Sequence, residues 1–325
     1  MFNLNFPSDN AETSQLQLGL GEVLFVMGPN GTGKSGLMQK FLQQNRKSSR
    51  KISAHRQTWM YTDVLDMTPA NKVQTEQNLK NEDISPHSRY RDVYASQRAS
   101  ITIYELIDAE NVRARKITEA VDNKNMNRAA EEAETESPIA IINSLFQQSN
   151  IPIKITIHEN DRLMASKDGG QEYGVAELSD GERNALLIAG DLLTAPEGTL
   201  IIIDEPERHL HRSIISPLLS RLFEQRRDCS FVISTHDYNL PLENPHARIL
   251  LLRSCSFSGE DVQSWDADEL ETDAEIDDVL KKDLLGSRRK ILFVEGADNS
   301  LDKSIYSLIF PMASVISKGS CREVE

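Results

Sequence analysis

The chain has 325 residues, 39% hydrophobic and 26% charged, enough for about two domains and ordinary for a packed protein rather than a disordered or fibrous one. Thirty-six Lys and Arg against fifty Asp and Glu leave a formal charge of −14, which excludes a nucleic-acid binder whose whole surface is basic. No stretch approaches roughly 18 consecutive apolar residues, so no membrane span is expected.

The opening MFNLNFPSDN has neither a basic n-region nor an apolar h-region, so no secretory signal is expected. Cys229, Cys255 and Cys321 lie far apart without CxxC spacing and read as buried free thiols of a cytoplasmic protein. Gly21–Met27 reads as a buried strand that runs into a Gly-rich turn and a helix from about Lys34 to Gln44. A second strand is expected over Lys51–His55. Residues from about Tyr61 to Ser149 are polar and mixed in charge, and read as a helical insertion. Both charge signs share its stretches, which argues against a membrane-surface helix. Ile153, Ile155 and Ile157 alternate with Lys154 and Thr156 as in a half-buried strand, and Asp168-Gly169-Gly170 supplies a turn to a partner strand.

Leu200–Ile203, Ser230–Ile233 and Ile249–Leu252 are short continuous apolar runs, as in buried strands of a mostly parallel sheet. Between Glu260 and Asp283 eleven acids face only Lys281 and Lys282, a local charge of −9. Residues 256–287 therefore read as an acidic linker between a domain over 1–255 and a segment over 288–325. That segment holds a strand at Ile291–Val294 ending in Glu295-Gly296, a helix from Asp298 to Phe310, and a strand over Ala313–Ser317.

Four motifs carry chemistry. Gly28-Pro29-Asn30-Gly31-Thr32-Gly33-Lys34-Ser35, followed by Gly36, fits G-x-x-x-x-G-K-[ST] between a strand and a helix. Its glycines let backbone N–H groups turn toward phosphates, with Lys34 on the β- and γ-phosphates and the Ser35 hydroxyl on Mg²⁺. Leu200–Ile203 ends in Asp204 and Glu205; Asp204 suits the Mg²⁺ shell and Glu205 the attacking water. Ser179-Asp180-Gly181-Glu182 opens an apolar helix as a capping box and offers a Gly where a phosphate could approach. Ser234-Thr235-His236 follows a strand and places a His where a γ-phosphate sensor is needed.

GPNGTGKS, LSDGER, LIIIDEPE and STH, in that order, resemble an ABC-type ATPase domain. The Glu205–His211 run narrows the resemblance to the RecF and SMC branch and the ATPases of overcoming-lysogenization-defect (OLD) nucleases. The resemblance implies an α/β ABC-ATPase head with a mixed, mostly parallel sheet, a P-loop, an antiparallel β-subdomain and a helical insertion. It also implies a homodimer, or a larger homo-oligomer, holding ATP between Gly28–Ser35 of one copy and Ser179–Glu182 of the other. Asp180 and Glu182 depart from the commoner LSGGQ, which implies altered phosphate contacts and slow turnover. Gln57 is the first choice for the glutamine that links Mg²⁺ to the insertion, and Gln97 the second.

Glu295-Gly296 resembles the metal-binding acid motif of a Toprim fold, and Leu301–Tyr306 resembles the Toprim relative beside the ATPases of PARIS-type phage-defence systems. The leading expectation is thus an ATP-hydrolysing sensor of anti-phage defence, triggered by a phage protein and joined to a Toprim-like effector in cis or in trans. The competing one is a DNA-repair or chromosome-maintenance ATPase that clamps duplex DNA, with Arg46, Lys47, Arg50, Lys51 and Arg56 as its basic patch. A transporter subunit fits less well, because transporter ATPases carry a different sequence after Glu205. No Asp-x-Asp follows Glu295 within the given residues, and one carboxylate does not fix a catalytic metal. The chain is therefore expected to hydrolyse ATP without cutting nucleic acid, as a fragment whose effector continues past Glu325.

Overall fold

The computed structural model describes residues 1–9, 13–53, 60, 63–64, 67–89, 93–159, 161–208, 210–237, 239–244, 246–259, 261–271, 291–295, 301, 305–306, 309 and 314–318. Strands β1 (Phe2–Pro7) and β2 (Thr13–Leu18) form an antiparallel pair ahead of β3 (Val23–Met27), α1 (Lys34–Gln44) and β4 (Ser49–Ser53). Helices α2 (Pro69–Asp83), α3 (Ala95–Asp122), α4 (Met126–Glu134) and α5 (Pro138–Gln148) follow. Then come β5 (Ile153–His158), β6 (Arg162–Lys167), β7 (Glu172–Gly174), α6 (Asp180–Thr194), β8 (Leu200–Asp204) and α7 (Arg212–Gln225). The order closes with β9 (Ser230–Thr235), α8 (Asn239–Leu242), β10 (Arg248–Ser258), β11 (Asp261–Glu271), β12 (Ile291–Glu295) and β13 (Ser314–Lys318).

Among the described residues the main sheet runs β11–β10–β3–β9–β8–β4, parallel throughout except for the antiparallel edge pair β10–β11. Both of its faces are covered, which is why the inner strands β3, β8 and β9, buried along their whole length, read as almost unbroken apolar runs. Successive side chains point to opposite faces. Phe25, Ile201, Ile203, Phe231 and Ile233 thus join the core under α3, α5, α6 and α7. Leu24, Val26, Leu200, Ile202 and Val232 join a second core with α1 and the β1–β2 pair. The fold is the expected mixed α/β arrangement: a mostly parallel sheet behind the P-loop, antiparallel strands (β1–β2 and β5–β6–β7) beside it, and a helical part.

Three expectations need correction. Residues 256–271 of the expected acidic linker are the end of β10 and all of β11, which form the edge hairpin of the main sheet, so the sheet does not stop at Cys255. The acids are accommodated because Arg248 meets Glu269 (Nε to Oε1 2.6 Å) and Arg253 meets Asp268 (2.7 Å) across the pair. Residues 272–287 lie outside the described residues. The strand expected at Lys51–His55 starts two residues earlier, at Ser49, where Ser49 pairs with Leu200. Cys255 is half-buried rather than buried, with Sγ donating to the Gly31 carbonyl at 3.4 Å, whereas Cys229 is buried.

Candidate nucleotide site

Strand β3, buried along its whole length, delivers Gly28 to the top of the sheet. Gly28 has φ +152°, and a Cβ there would collide with the Leu252 carbonyl oxygen and Thr32 Oγ1, so only glycine fits. Gly33 has φ +77°, and a Cβ would stand 2.8 Å from Trp265 Nε1, which donates to the Gly33 carbonyl at 3.2 Å. The β10–β11 hairpin therefore braces the loop from behind through Trp265 and Cys255. Helix α1 opens with no acidic residue in its first turn and no side-chain cap, leaving its positive end and first N–H groups for an anion.

Lys34 is buried, and its Nζ donates to the carbonyls of Gly28 (2.8 Å) and Pro29 (3.1 Å). Burial lowers its pKa to about 8; the charges of Glu205, Asp204 and Glu207 pull the other way, placing three carboxylates in its field. Ser35, the next residue, lines a small cavity together with Asp204, so the hydroxyl and the carboxylate expected on Mg²⁺ face one space.

The exits of β8 and β9 are tied together. Ser234 Oγ donates to the buried Asp204, and the Glu205 N–H donates to the Ser234 carbonyl at 3.0 Å. Glu205 has φ +49°, a left-handed conformation that costs a non-glycine residue about 1–2 kcal/mol. The hydrogen bonds to Ser234 hold it there, with Oε1 2.7 Å from His236 Nε2 and Oε2 3.3 Å from Arg208 Nη1. The His236 hydrogen bond, more than burial opposes it, keeps the Glu205 carboxyl below the usual carboxylate range. It is ionised at neutral pH, the form that polarises a water. Glu207, two residues on, accepts from Thr235 Oγ1 and from the His236 N–H, both at 2.8 Å.

Ser179 caps α6 in a full capping box: Glu182 Oε2 takes Ser179 Oγ (2.6 Å) and N (3.0 Å). Asp180 pairs with Arg183 at 3.6 Å. Ser179 and Asp180 are exposed, and among the described residues their polar partners lie within the same turn. Of the other expected residues, Gln57 lies outside the described residues, while Gln97 sits in the first turn of α3. Glu295 ends β12, parallel to β13.

Glu207, Trp265 and Cys255 were not singled out as site residues by sequence reasoning. Glu207 stood inside the Glu205–His211 run, but nothing in spacing says that its carboxylate turns back to β9. Trp265 lies inside the acidic run that reads as a linker. Of the basic patch expected on DNA, Arg46 donates to Asn81 and Lys51 to the Ser88 carbonyl. Arg50 is held by Glu105 at 2.9 Å. Arg56 lies outside the described residues.

A family model described as "AAA domain, putative AbiEii toxin, Type IV TA system" matches residues 70–243. An uncharacterised protein of Dictyostelium discoideum is 21% identical over 290 residues, covering 85% of this chain and 33% of that protein. A "Putative ABC transporter ATP-binding protein" of Bacillus cereus is 25% identical over 256 residues, covering 77% of this chain and 36% of its own length. The chain thus spans about a third of the curated relatives it matches. Among solved structures, an SMC head bound to the C-terminal winged-helix domain of ScpA is 13% identical, with a TM-score of 0.47 over 83% of this chain and 99% of that one. A structure described as "An inward-facing conformation of a putative metal-chelate type ABC transporter" is 17% identical, with a TM-score of 0.40 over 87% of this chain and 86% of its own.

Proposed function

This chain belongs to the family described as "AAA domain, putative AbiEii toxin, Type IV TA system", and from that membership we propose that it is a Mg²⁺-dependent ATP hydrolase of the ABC type. The observation that carries the reading is the convergence on Lys34: the P-loop lysine lies in the field of Asp204, Glu205 and Glu207, and Glu205 is itself held by His236. The residues fit Mg²⁺ and a nucleoside triphosphate. Gly28 leaves no room for a side chain, and Gly31 has φ +89° with nothing within 4 Å of a Cβ position, as a loop wrapped on phosphates requires. Ser35 and Asp204 bring one hydroxyl and one carboxylate to a shared space, a donor set by which Mg²⁺ is held on substrate phosphates. Bound there, Mg²⁺ would neutralise charge on the β- and γ-phosphate oxygens.

In the proposed reaction Lys34 leaves the Gly28 and Pro29 carbonyls for the phosphates. Glu205 polarises a water and takes its proton as the water oxygen bonds to the γ-phosphorus. The bond from the bridging oxygen to the γ-phosphorus breaks, and ADP leaves with the electron pair. His236, which reaches Glu205 through Nε2, would contact the γ-phosphate in this reaction, a role supported by its bond to Glu205. Ser179, Asp180, Gly181 and Glu182 of a second copy complete the site, a role supported by the exposure of Ser179 and Asp180.

Lys34→Ala is expected to abolish ATP binding. Glu205→Gln is expected to keep binding while slowing turnover about 10²–10⁴-fold, the range for losing a positioned base. Equilibrium binding of labelled ATP and steady-state phosphate release check both. Normal turnover in Glu205→Gln removes Glu205 from the role.

The finer part of the proposal is a sensor in anti-phage defence that drives a Toprim-like effector. It is supported by the sequence resemblance around Glu295 and Leu301–Tyr306. An assay of phage plating with and without Lys34→Ala tests it, and equal protection by both chains counts against it.

A further inference from the structure

We infer that Glu207 is a positioning residue for ATP hydrolysis, fixing the backbone of His236 and with it the imidazole that meets Glu205. The inference rests on the ATPase reading above. The turn that carries Glu207 is set by Pro206, which is buried and begins a one-turn 3-10 helix over Pro206–Arg208. This turn brings Glu207 back beneath the end of β9. There Oε1 accepts two hydrogen bonds, from Thr235 Oγ1 and from the main-chain N–H of His236, each at 2.8 Å. The same His236 reaches Glu205 Oε1 with Nε2 at 2.7 Å. His236 is thus gripped at its backbone by one carboxylate and at its ring by another, from residues 205 and 207 of one short turn.

A second observation is independent of these bonds. Glu207 Oε2 is buried and has no hydrogen-bond partner among the described residues. Leaving such an oxygen unsatisfied costs about 1–3 kcal/mol, so packing alone does not account for a carboxylate at this position. Its charge also reaches Lys34 on the facing P-loop, so it lies in the field of the proposed nucleotide site. A side chain that paired the N–H of His236 only for stability would have no need to stand inside this ring of charges.

The test uses the full chain. Glu207→Ala is expected to lower kcat about tenfold while the KM for ATP stays within about twofold, because His236 and not nucleotide affinity is disturbed. Glu207→Gln keeps a carbonyl oxygen for both donors and is expected to retain most of the turnover. In a His236→Ala background, Glu207→Ala should add less than about a twofold loss, since residues acting through one another are not additive.

A full tenfold further loss in that background overturns the inference, as does unchanged kcat in Glu207→Ala. Should Glu207→Ala fail to fold, Glu207→Gln decides: near-normal turnover supports the role, and a folded variant slowed tenfold overturns it. The two readings fail separately. A wild-type chain without Lys34-dependent turnover overturns the ATPase reading and this one with it, whereas an active wild type matched by Glu207→Ala overturns only the positioning role.

Discussion

At the scale of single residues, Lys34 shows how burial and charge compete. Its amine is satisfied by two carbonyls, yet burial brings its pKa to about 8. Between about pH 8 and the unfolded value of 10.5 the unfolded chain holds more protons than the folded one, so this group makes stability rise with pH in that window. Phosphates reverse the balance, because a tetraanion beside Lys34 favours the protonated amine. ATP binding at pH 8.5 is therefore expected to take up a proton, and affinity to fall as pH climbs past 8. Titration calorimetry in buffers of different ionisation enthalpy reads the uptake directly. Lys34→Arg, charged at every pH used, should bind ATP without it; equal uptake by both chains would place the proton elsewhere. The identity of this lysine was legible in eight contiguous letters, because a phosphate loop is a local structure. The partner of His236 was not, because the turn of Glu207 back to β9 depends on the neighbouring strand.

Among elements, the helical part is joined to the sheet by charge as well as by apolar packing. Glu105 on α3 takes Arg50 of β4 at 2.9 Å and Lys72 of α2 at 3.0 Å, and also accepts from Thr194 of α6 at 2.7 Å. Asp191 of α6 accepts from Thr102 of α3 at 2.7 Å. Helices α3 and α6 approach closely at Gly190, where a Cβ would stand 2.6 Å from Thr102 Cγ2. Removing Glu105 would take the shared carboxylate from Arg50 and Lys72, which keep Asp191 at 3.8 Å and Glu76 at 3.0 Å. Glu105→Ala is expected to destabilise the protein by about 1–3 kcal/mol in urea unfolding, below the cost of leaving a buried charge without any partner.

Asp191 should behave differently, since burial raises its pKa to about 6 against the pull of Arg50. The folded state therefore holds this proton more tightly than the unfolded one, and the cost of ionising Asp191 appears as pH rises from 3.8 through 6. Asp191→Asn keeps an acceptor for Thr102 and escapes that cost. Its stability relative to wild type should improve between pH 4.5 and 7.5, and a flat difference would refute the assignment.

The inner strands β3, β8 and β9 were legible because two covered faces demand apolar runs. The end of β10 and all of β11 were not. Their acids, which read as a solvated linker, are paired with Arg248 and Arg253 across the strands, a pairing that composition does not reveal. The β1–β2 pair alternates Phe2, Leu4 and Phe6 with polar residues, yet so short a pattern gains meaning only against α1.

For the whole molecule, the distribution of the site over the surface decides how many copies turnover needs. The P-loop, Asp204, Glu205 and His236 gather at one end of the sheet, whereas Ser179 and Asp180 are exposed at the start of α6 and, among the described residues, bond within their own turn. On the composite-site proposal, one chain presents two different halves, a phosphate cradle and a separate, capped helix start. Two copies related by a twofold axis would complete both halves at once. Lys34→Ala destroys the cradle and leaves the helix start, while Ser179→Arg blocks the helix start and leaves the cradle. Each variant alone is expected to be inactive. Mixed in equal amounts, half of the dimers are hybrids with one intact site each, so turnover should recover to about one quarter of wild type. The loss of the Ser179 cap costs only about 1 kcal/mol, so the second variant should still fold. Phosphate release from the mixture, with sedimentation to show that both variants dimerise, decides the matter: hybrids that form and remain silent would mean that ATP is turned over within a single chain.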